Sequence, residues 1–293
     1  MGAPLEHWVP VMFEDPGQIL DIARIAEETG FTGIALADHV AIPLDFHSVH
    51  GSGHNPFDPR TPFYDPVATA AAAASVTTRL RIMTYVLVVT MRDPFTVAKQ
   101  AGTLSVLSGG RFALGVGAGW LVEEIAVLGH DRRDRGSRMD EYLEVIQAFL
   151  RDGVVEYHGK HVDFGPTAMF PTPPEPPPIW VGGKAAPALA RAALYDGWLG
   201  MDYPYDDMMA QLDRIQDLRR RRADEVGPPA RPPQTLVVTV PPPAPSPDLH
   251  HRLADRGVTA TIATPWYPGD PAHADLEAKR SAMWAWSERY GLL

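Results

Sequence analysis

Residues 108–120 read SGGRFALGVGAGW, five glycines in thirteen residues around one short apolar run. A chain uses glycine where backbone must approach something closely or turn without a Cβ. The stretch therefore asks what lies against Gly115, Gly117 and Gly119. A dinucleotide-binding turn is the obvious candidate, and it fails. That fingerprint is G-x-G-x-x-G on the first strand–helix turn, followed by an acidic residue about 20 positions on. Here the spacing is G-x-G-x-G, on the fourth strand of the chain, and Trp120 stands where the third glycine belongs.

Working outward, the same strand-then-helix grammar repeats. HWVPVMF (7–13) reads as a buried strand, followed by a helix in which Ile19, Ile22, Ala26 and Thr29 keep helical spacing and Gly30 supplies the stop. FTGIALADH gives strand two, ending in Asp38 and His39, and a Pro-, Gly- and His-containing loop runs to about Asp65. Helix is expected at 66–78, then strand three at 81–89. Asp93 and Pro94 form an N-cap and first-turn pair for the next helix. FALGVG is strand four.

Beyond it come an amphipathic helix at 136–150, a hairpin at 154–164 around His158-Gly159-Lys160, and PTPPEPPP (171–178), an extended connector. IWVGG, WLGM, QTLVVTV and TATIATPW supply strands five to eight, each with a following helix. Eight β-α units predict a single (β/α)8 barrel over 1–293, with insertions after strands two and four. In such a barrel the strand C-termini form the active face, and Gly115 to Gly119 is one of them.

The formal charge of −10 argues against general nucleic-acid binding, which needs surplus Lys and Arg. With no cysteine, thiol catalysis, disulfides and iron–sulfur clusters are excluded. MGAPLEHW shows no secretory pattern, and VATAAAAASV (67–76) is about half of what spans a bilayer, so a cytoplasmic protein without membrane contact is expected.

Several residues invite chemistry. His39, at the end of strand two, can exchange a proton with a ligand or merely cap a strand end. Gly182-Gly183-Lys184 precedes a helix N-terminus, where free N–H groups and a lysine suit an anion such as phosphate; a plain strand–helix turn is the alternative. His47, His50 and His54 have a spacing open to zinc, but their Gly-Ser loop has no obvious carboxylate and reads as a mobile lid; no metal site is expected. The four arginines 219–222 lie among Asp213, Asp217, Asp224 and Glu225 and read as a solvated helix face, and Asp131 to Arg138 as a surface connector.

MRDPFTVAKQAGTLSVLSGGRFALGVGAGWLVEE (91–124) resembles the bacterial-luciferase-like flavin monooxygenase and oxidoreductase family, in particular the branch that uses the deazaflavin coenzyme F420. GIALADHV and PPIWVGGKAAPALARAALYDGW match two further family segments, and the likeness weakens after Pro228. The resemblance implies a usually dimeric (β/α)8 barrel with a flavin or deazaflavin lying across its C-terminal face. By the same resemblance His39 is the catalytic candidate. Asp38, Thr84, Tyr85, Val86, Gly115, Gly117, Gly119, Gly182, Gly183 and Lys184 are cofactor-binding candidates, with a non-prolyl cis peptide at Tyr85-Val86 behind the ring.

The function implied is hydride transfer between F420 and a small organic substrate. The alternative is a monooxygenase using reduced flavin mononucleotide (FMN), O2 and a partner flavin reductase. The carboxylate-rich tail of F420 favours basic residues at the mouth, for which Lys184, Arg60 and Arg92 are candidates. In sugar-phosphate dehydrogenases of the deazaflavin branch an acid follows the G-x-G of strand four; here that position is Ala118, a departure that speaks against the sugar-phosphate reaction, and Glu123 and Glu124 are not assigned as substitutes. Two rivals come from other classes. A metal-dependent barrel hydrolase wants H-x-H on strand one, where only His7 stands, and a carrier would hold the cofactor without turnover.

Overall fold

The computed structural model describes residues 4–293 except 13, 51, 52, 54, 56, 228, 230, 239–244 and 268. In chain order the elements are β1 (Glu6–Val11), α1 (Ile19–Glu28), β2 (Gly33–Leu36), α2 (Pro66–Val76), β3 (Arg81–Thr84), β4 (Leu87–Val88), α3 (Pro94–Ser108) and β5 (Phe112–Gly117). There follow α4 (Val122–Val127), α5 (Arg135–Asp152), β6 (Val154–His158), β7 (Asp163–Ala168), β8 (Ile179–Gly182), α6 (Ala186–Leu194) and β9 (Gly197–Leu199). The chain ends with α7 (Tyr205–Val226), β10 (Gln234–Val238), α8 (Pro247–Asp255), β11 (Ala260–Ile262) and α9 (Leu276–Tyr290).

The main sheet runs β3-β2-β1-β11-β10-β9-β8-β5-β4, and β3 also pairs with β5, so it closes on itself. Its pairings are all parallel, and β3 and β4 together form one barrel strand interrupted at Tyr85-Val86. This is the expected eight-stranded barrel. The interior alternates large and small residues, as a tapering barrel needs. Trp8 and Trp180 meet edge to face at 5.8 Å, and glycines face them. A Cβ on Gly33 would lie 2.5 Å from the Trp8 ring, and one on Gly197 2.7 Å from Trp180 Cδ1. Arg81 closes the bottom, its guanidinium 5.1 Å from the Trp8 ring and its Nη1 2.8 Å from Glu6.

Two insertions are added to the plain barrel, the first of them at its upper face. Residues 40–64, after β2, have no helix or strand among the described residues. The β6–β7 hairpin follows α5, as its sequence pattern predicts. Three local expectations change. Helix α4, on the far side of the glycine run, has no counterpart in the sequence reading. Arg219 is not on a solvated face: it donates to Thr235 Oγ1 at 2.6 Å and to the Gln234 carbonyl at 2.9 Å, and burial lowers its pKa to about 10. Arg138, read as part of a surface connector, is buried in the first turns of α5 and paired with Asp134. In both cases a long side chain turns back from a charged run to a partner in the fold, Arg219 to β10 and Arg138 to the connector before its own helix.

Candidate active site

The predicted residues fall on four neighbouring strand ends around the upper rim: β2 (Asp38, His39), β3/β4 (Thr84 to Val86), β5 (Gly115 to Gly119) and β8 (Gly182 to Lys184). At the usual inter-strand spacing these ends cover about 14 Å. The Tyr85-Val86 peptide is cis, as the family resemblance implies.

Each glycine does something different from leaving a flat floor. A Cβ on Gly115 would lie 2.0 Å from the Thr84 carbonyl oxygen and 2.8 Å from Leu199 Cδ1. Gly115 therefore permits β3 and β5 to close, a contact reinforced by the Thr84 hydroxyl, which donates to the Gly115 carbonyl at 2.6 Å. Gly117 and Gly182 both face Val86: their Cβ atoms would meet its Cγ2 at 2.8 Å and its Cγ1 at 3.0 Å. The space those two glycines clear is occupied by the half-buried Val86 side chain, which stands on them as an apolar shelf in the barrel mouth. Gly119, at φ +83°, turns the chain toward α4.

Tyr85 donates its hydroxyl to the Gly200 carbonyl, tying the interrupted strand across the barrel to β9. Burial, helped by Tyr203 and Asp202, pushes its phenol well above the ordinary range and keeps it a donor. At β8, Gly183 has φ +118° and α6 opens without a side-chain cap, so first-turn N–H groups stay unclaimed by any side chain. Lys184 is exposed, with Nζ 5.1 Å from the centre of the Tyr203 ring.

Asp38 is buried and already occupied. It accepts from the Val88 N–H at 2.8 Å and takes a bidentate pair from Arg92 at 2.6 and 2.8 Å. Burial pushes its carboxyl up from the ordinary range, against the pull of Arg92. The expectation that Arg92 faces a cofactor tail is therefore corrected: its guanidinium belongs to Asp38, with Asp65 a further 3.7 Å away.

His39 is held from two sides. Its Nδ1 lies 2.5 Å from Glu124 Oε2, and Glu124 is 1% exposed. Its ring packs edge-on against both Phe57 and Phe63, at 4.8 and 4.7 Å between centroids, and these two rings touch each other at 5.0 Å, with Trp120 5.9 Å from the imidazole. Phe46 and His50 from the same insertion pack on Trp120 at 6.3 and 5.2 Å. Phe46, His50, Phe57 and Phe63 of the 40–64 segment thus form, with Trp120, an aromatic cover on His39. Glu123 fastens it: its carboxylate accepts from the His47 and Ser48 N–H groups at 2.9 and 3.2 Å and from the Ser48 hydroxyl at 2.6 Å. The Ser48 hydroxyl bond, with the two backbone bonds, lowers the Glu123 pKa to about 2.

The sequence reading missed both glutamates as site residues. The available signal was the acidic pair itself, one turn past a strand end that points at the ligand face. His47 is exposed and His50 lies against Trp120, while His54 lies outside the described residues. Among the described residues no group of three or more His, Cys, Asp or Glu is gathered to hold a metal. His7, the residue a hydrolase would need in the barrel interior, instead points outward and accepts from Trp286 Nε1 at 2.9 Å. Among the described residues no helix is long and apolar enough to cross a membrane.

Comparison with known proteins agrees with this geometry. The family model for luciferase-like monooxygenases matches residues 3–282. An uncharacterised protein of Mycobacterium tuberculosis is 36% identical over 203 residues, covering 68% of this chain and 70% of its own. An F420-dependent glucose-6-phosphate dehydrogenase of Amycolatopsis mediterranei is 28% identical over 222 residues, covering 72% and 62%. Among solved structures, the coenzyme F420-dependent tetrahydromethanopterin reductase of Methanopyrus kandleri superposes with a TM-score of 0.73 at 18% identity, covering 98% of both chains. An FMN complex of a Pseudomonas putida Baeyer–Villiger monooxygenase gives 0.60 at 17% identity, covering 80% and 67%. At such identities these two likenesses speak for the shared barrel. The match along nearly the whole chain, on a closed parallel barrel, makes the protein a member of the luciferase-like monooxygenase family, and an oxidoreductase.

Proposed function

We propose that this protein transfers a hydride between coenzyme F420 and a small, uncharged organic substrate bound beside His39. The observation that carries the reading is the rim itself. Four adjacent strand ends present, in order, a held imidazole, the Val86 shelf, the β5 glycines that seat it, and a glycine–lysine turn before an uncapped helix. That sequence of features fits a tricyclic ring at one end and its phosphate at the other. When bound, a deazaflavin supplies the hydride acceptor or donor. Val86 would back the ring, the Gly183–Lys184 turn would receive the phosphate, and His39 Nε2 would take or return the substrate's proton. Phe46, Phe57, Phe63 and Trp120 keep water away.

The deazaflavin is favoured over FMN by the RDPFTVAKQAGTLSVLSGGRFALGVGAGW segment, which resembles the F420 branch, and by the F420-dependent relative. An uncharged substrate is favoured by the cover over His39, which offers aromatic rings where a sugar phosphate needs cations, and by the commitment of Arg92 to Asp38. FMN shares the ring and the phosphate, and the FMN-bound neighbour supports it as the second reading. Protein made in a host that synthesises both cofactors should release, on denaturation, a ligand with a deazaflavin absorption spectrum. A flavin spectrum would replace this reading with the monooxygenase one and call for a partner flavin reductase.

A further inference from the structure

We propose that Glu124 is the positioning residue that decides which nitrogen of His39 exchanges the proton. The inference rests on the hydride-transfer reading for the proton exchange; the tautomer it assigns stands on the His39–Glu124 geometry alone. Glu124 sits on α4, 85 residues from His39 in sequence, and is buried beneath the end of β2. Its Oε1 accepts from the Val40 and Ala41 N–H groups at 2.6 and 3.0 Å, and its Oε2 meets His39 Nδ1 at 2.5 Å. Two backbone N–H donors and an imidazole nitrogen converge on this one side chain, an arrangement a carboxylate satisfies with its lone pairs. A carboxylate has no hydrogen to give, so the ring hydrogen sits on Nδ1 and the lone pair on Nε2. Nε2 has no hydrogen-bond partner among the described residues.

One buried group therefore sets three things: the backbone path leaving β2, the ring's orientation and its tautomer. The consequence for an alcohol substrate is specific. With a deazaflavin bound to accept the hydride from the C–H bond, the O–H proton would pass to Nε2 as the carbonyl forms. The imidazolium charge then develops directly beside the Glu124 carboxylate. In the reverse direction Nε2–H returns the proton to the carbonyl oxygen.

The test is nitrogen-15 NMR of the histidine-labelled protein at alkaline pH, with the His39 signals identified by their loss in His39→Gln. The wild type should show Nδ1 protonated and Nε2 bare. In Glu124→Gln the carboxamide oxygen still serves Val40 and Ala41, but an N–H now faces Nδ1, so the ring should switch to the Nε2–H tautomer. Turnover should fall by about a hundredfold or more with a displaced pH–rate profile, while cofactor affinity is unchanged. A wild-type ring carrying its hydrogen on Nε2, or a variant that keeps the wild-type tautomer, would overturn the proposal. If Glu124→Gln does not fold, the wild-type spectrum decides alone. The expected tautomers without any F420-linked turnover would sink the cofactor reading and leave the His39–Glu124 pair standing.

Discussion

At the scale of single residues, the site depends on Val86 standing on two glycines. A valine at 117 must compete with Val86 for the same volume, because even its Cβ arrives 2.8 Å from Val86 Cγ2. Gly117→Val should therefore displace the shelf and weaken cofactor binding at least tenfold, for a stability cost of about 1–3 kcal/mol, typical of overpacking. Fluorescence titration and denaturant melts measure the two separately; undiminished affinity would remove Val86 from the site. His39→Ala should show the opposite pattern, losing about a hundredfold or more in turnover while cofactor affinity holds. Turnover at the wild-type rate would return His39 to a strand-capping role. The glycine run was legible because a cluster of missing side chains at a strand end is visible in one dimension. What each glycine faces was not. Gly115 meets a carbonyl 31 residues upstream, and Gly117 and Gly182 meet the same valine, pairings that exist only once β3, β5 and β8 are neighbours.

At the scale of elements, the short helix α4 organises the mouth. Consecutive residues on a helix point about 100° apart, so Glu123 and Glu124 serve different partners: one reaches the cover at His47 and Ser48, the other the imidazole beneath it. The sequence reading passed over α4 because six residues carry too little periodicity to register. It placed the eight strand–helix units because each repeats over ten or more residues with caps such as Asp93-Pro94, whose carboxylate accepts from the Thr96 N–H at 2.8 Å. The Glu123 clamp has a definite pH dependence. Its carboxyl is lowered from 4.5 to about 2 by its bonds to the cover, so it stabilises the closed cover at neutral pH. That contribution fades as pH falls from about 4.5 toward 2, where the folded form finally takes up the proton. Glu123→Gln should loosen the cover at neutral pH, and faster hydrogen exchange at the His47 and Ser48 amides would report it. Unchanged exchange would show that the aromatic rings alone hold the segment down.

At the scale of the whole molecule, the barrel carries an acid-sensitive joint far from the rim. His7 and His250 are both buried between β1, α8 and α9, their rings 5.1 Å apart. Burial, then the neighbouring His250, lowers His7 to about 3; burial, with Arg289 and His251, lowers His250 to about 4. Unfolded histidines titrate near 6.5, so between about 6.5 and 4 the unfolded chain binds protons that the fold refuses. Stability should be full above pH 6.5 and fall steadily as pH drops through that window. His7→Phe should flatten the dependence of the denaturation midpoint on pH, and an unaltered slope would place the acid sensitivity elsewhere. The closed barrel also sets the terms for the cofactor. With Arg92 held by Asp38, the exposed Lys184 is a cation at the turn proposed for the phosphate, and its attraction for a carboxylate-rich tail would be screened over about 8 Å at physiological salt. The most direct measurement is a pair of fluorescence titrations of the protein with F420 and with FMN, side by side at two salt concentrations. The account predicts that F420 binds at least about tenfold tighter, a margin of about 1.4 kcal/mol, and that this margin narrows as salt is raised. Tighter binding of FMN would contradict it.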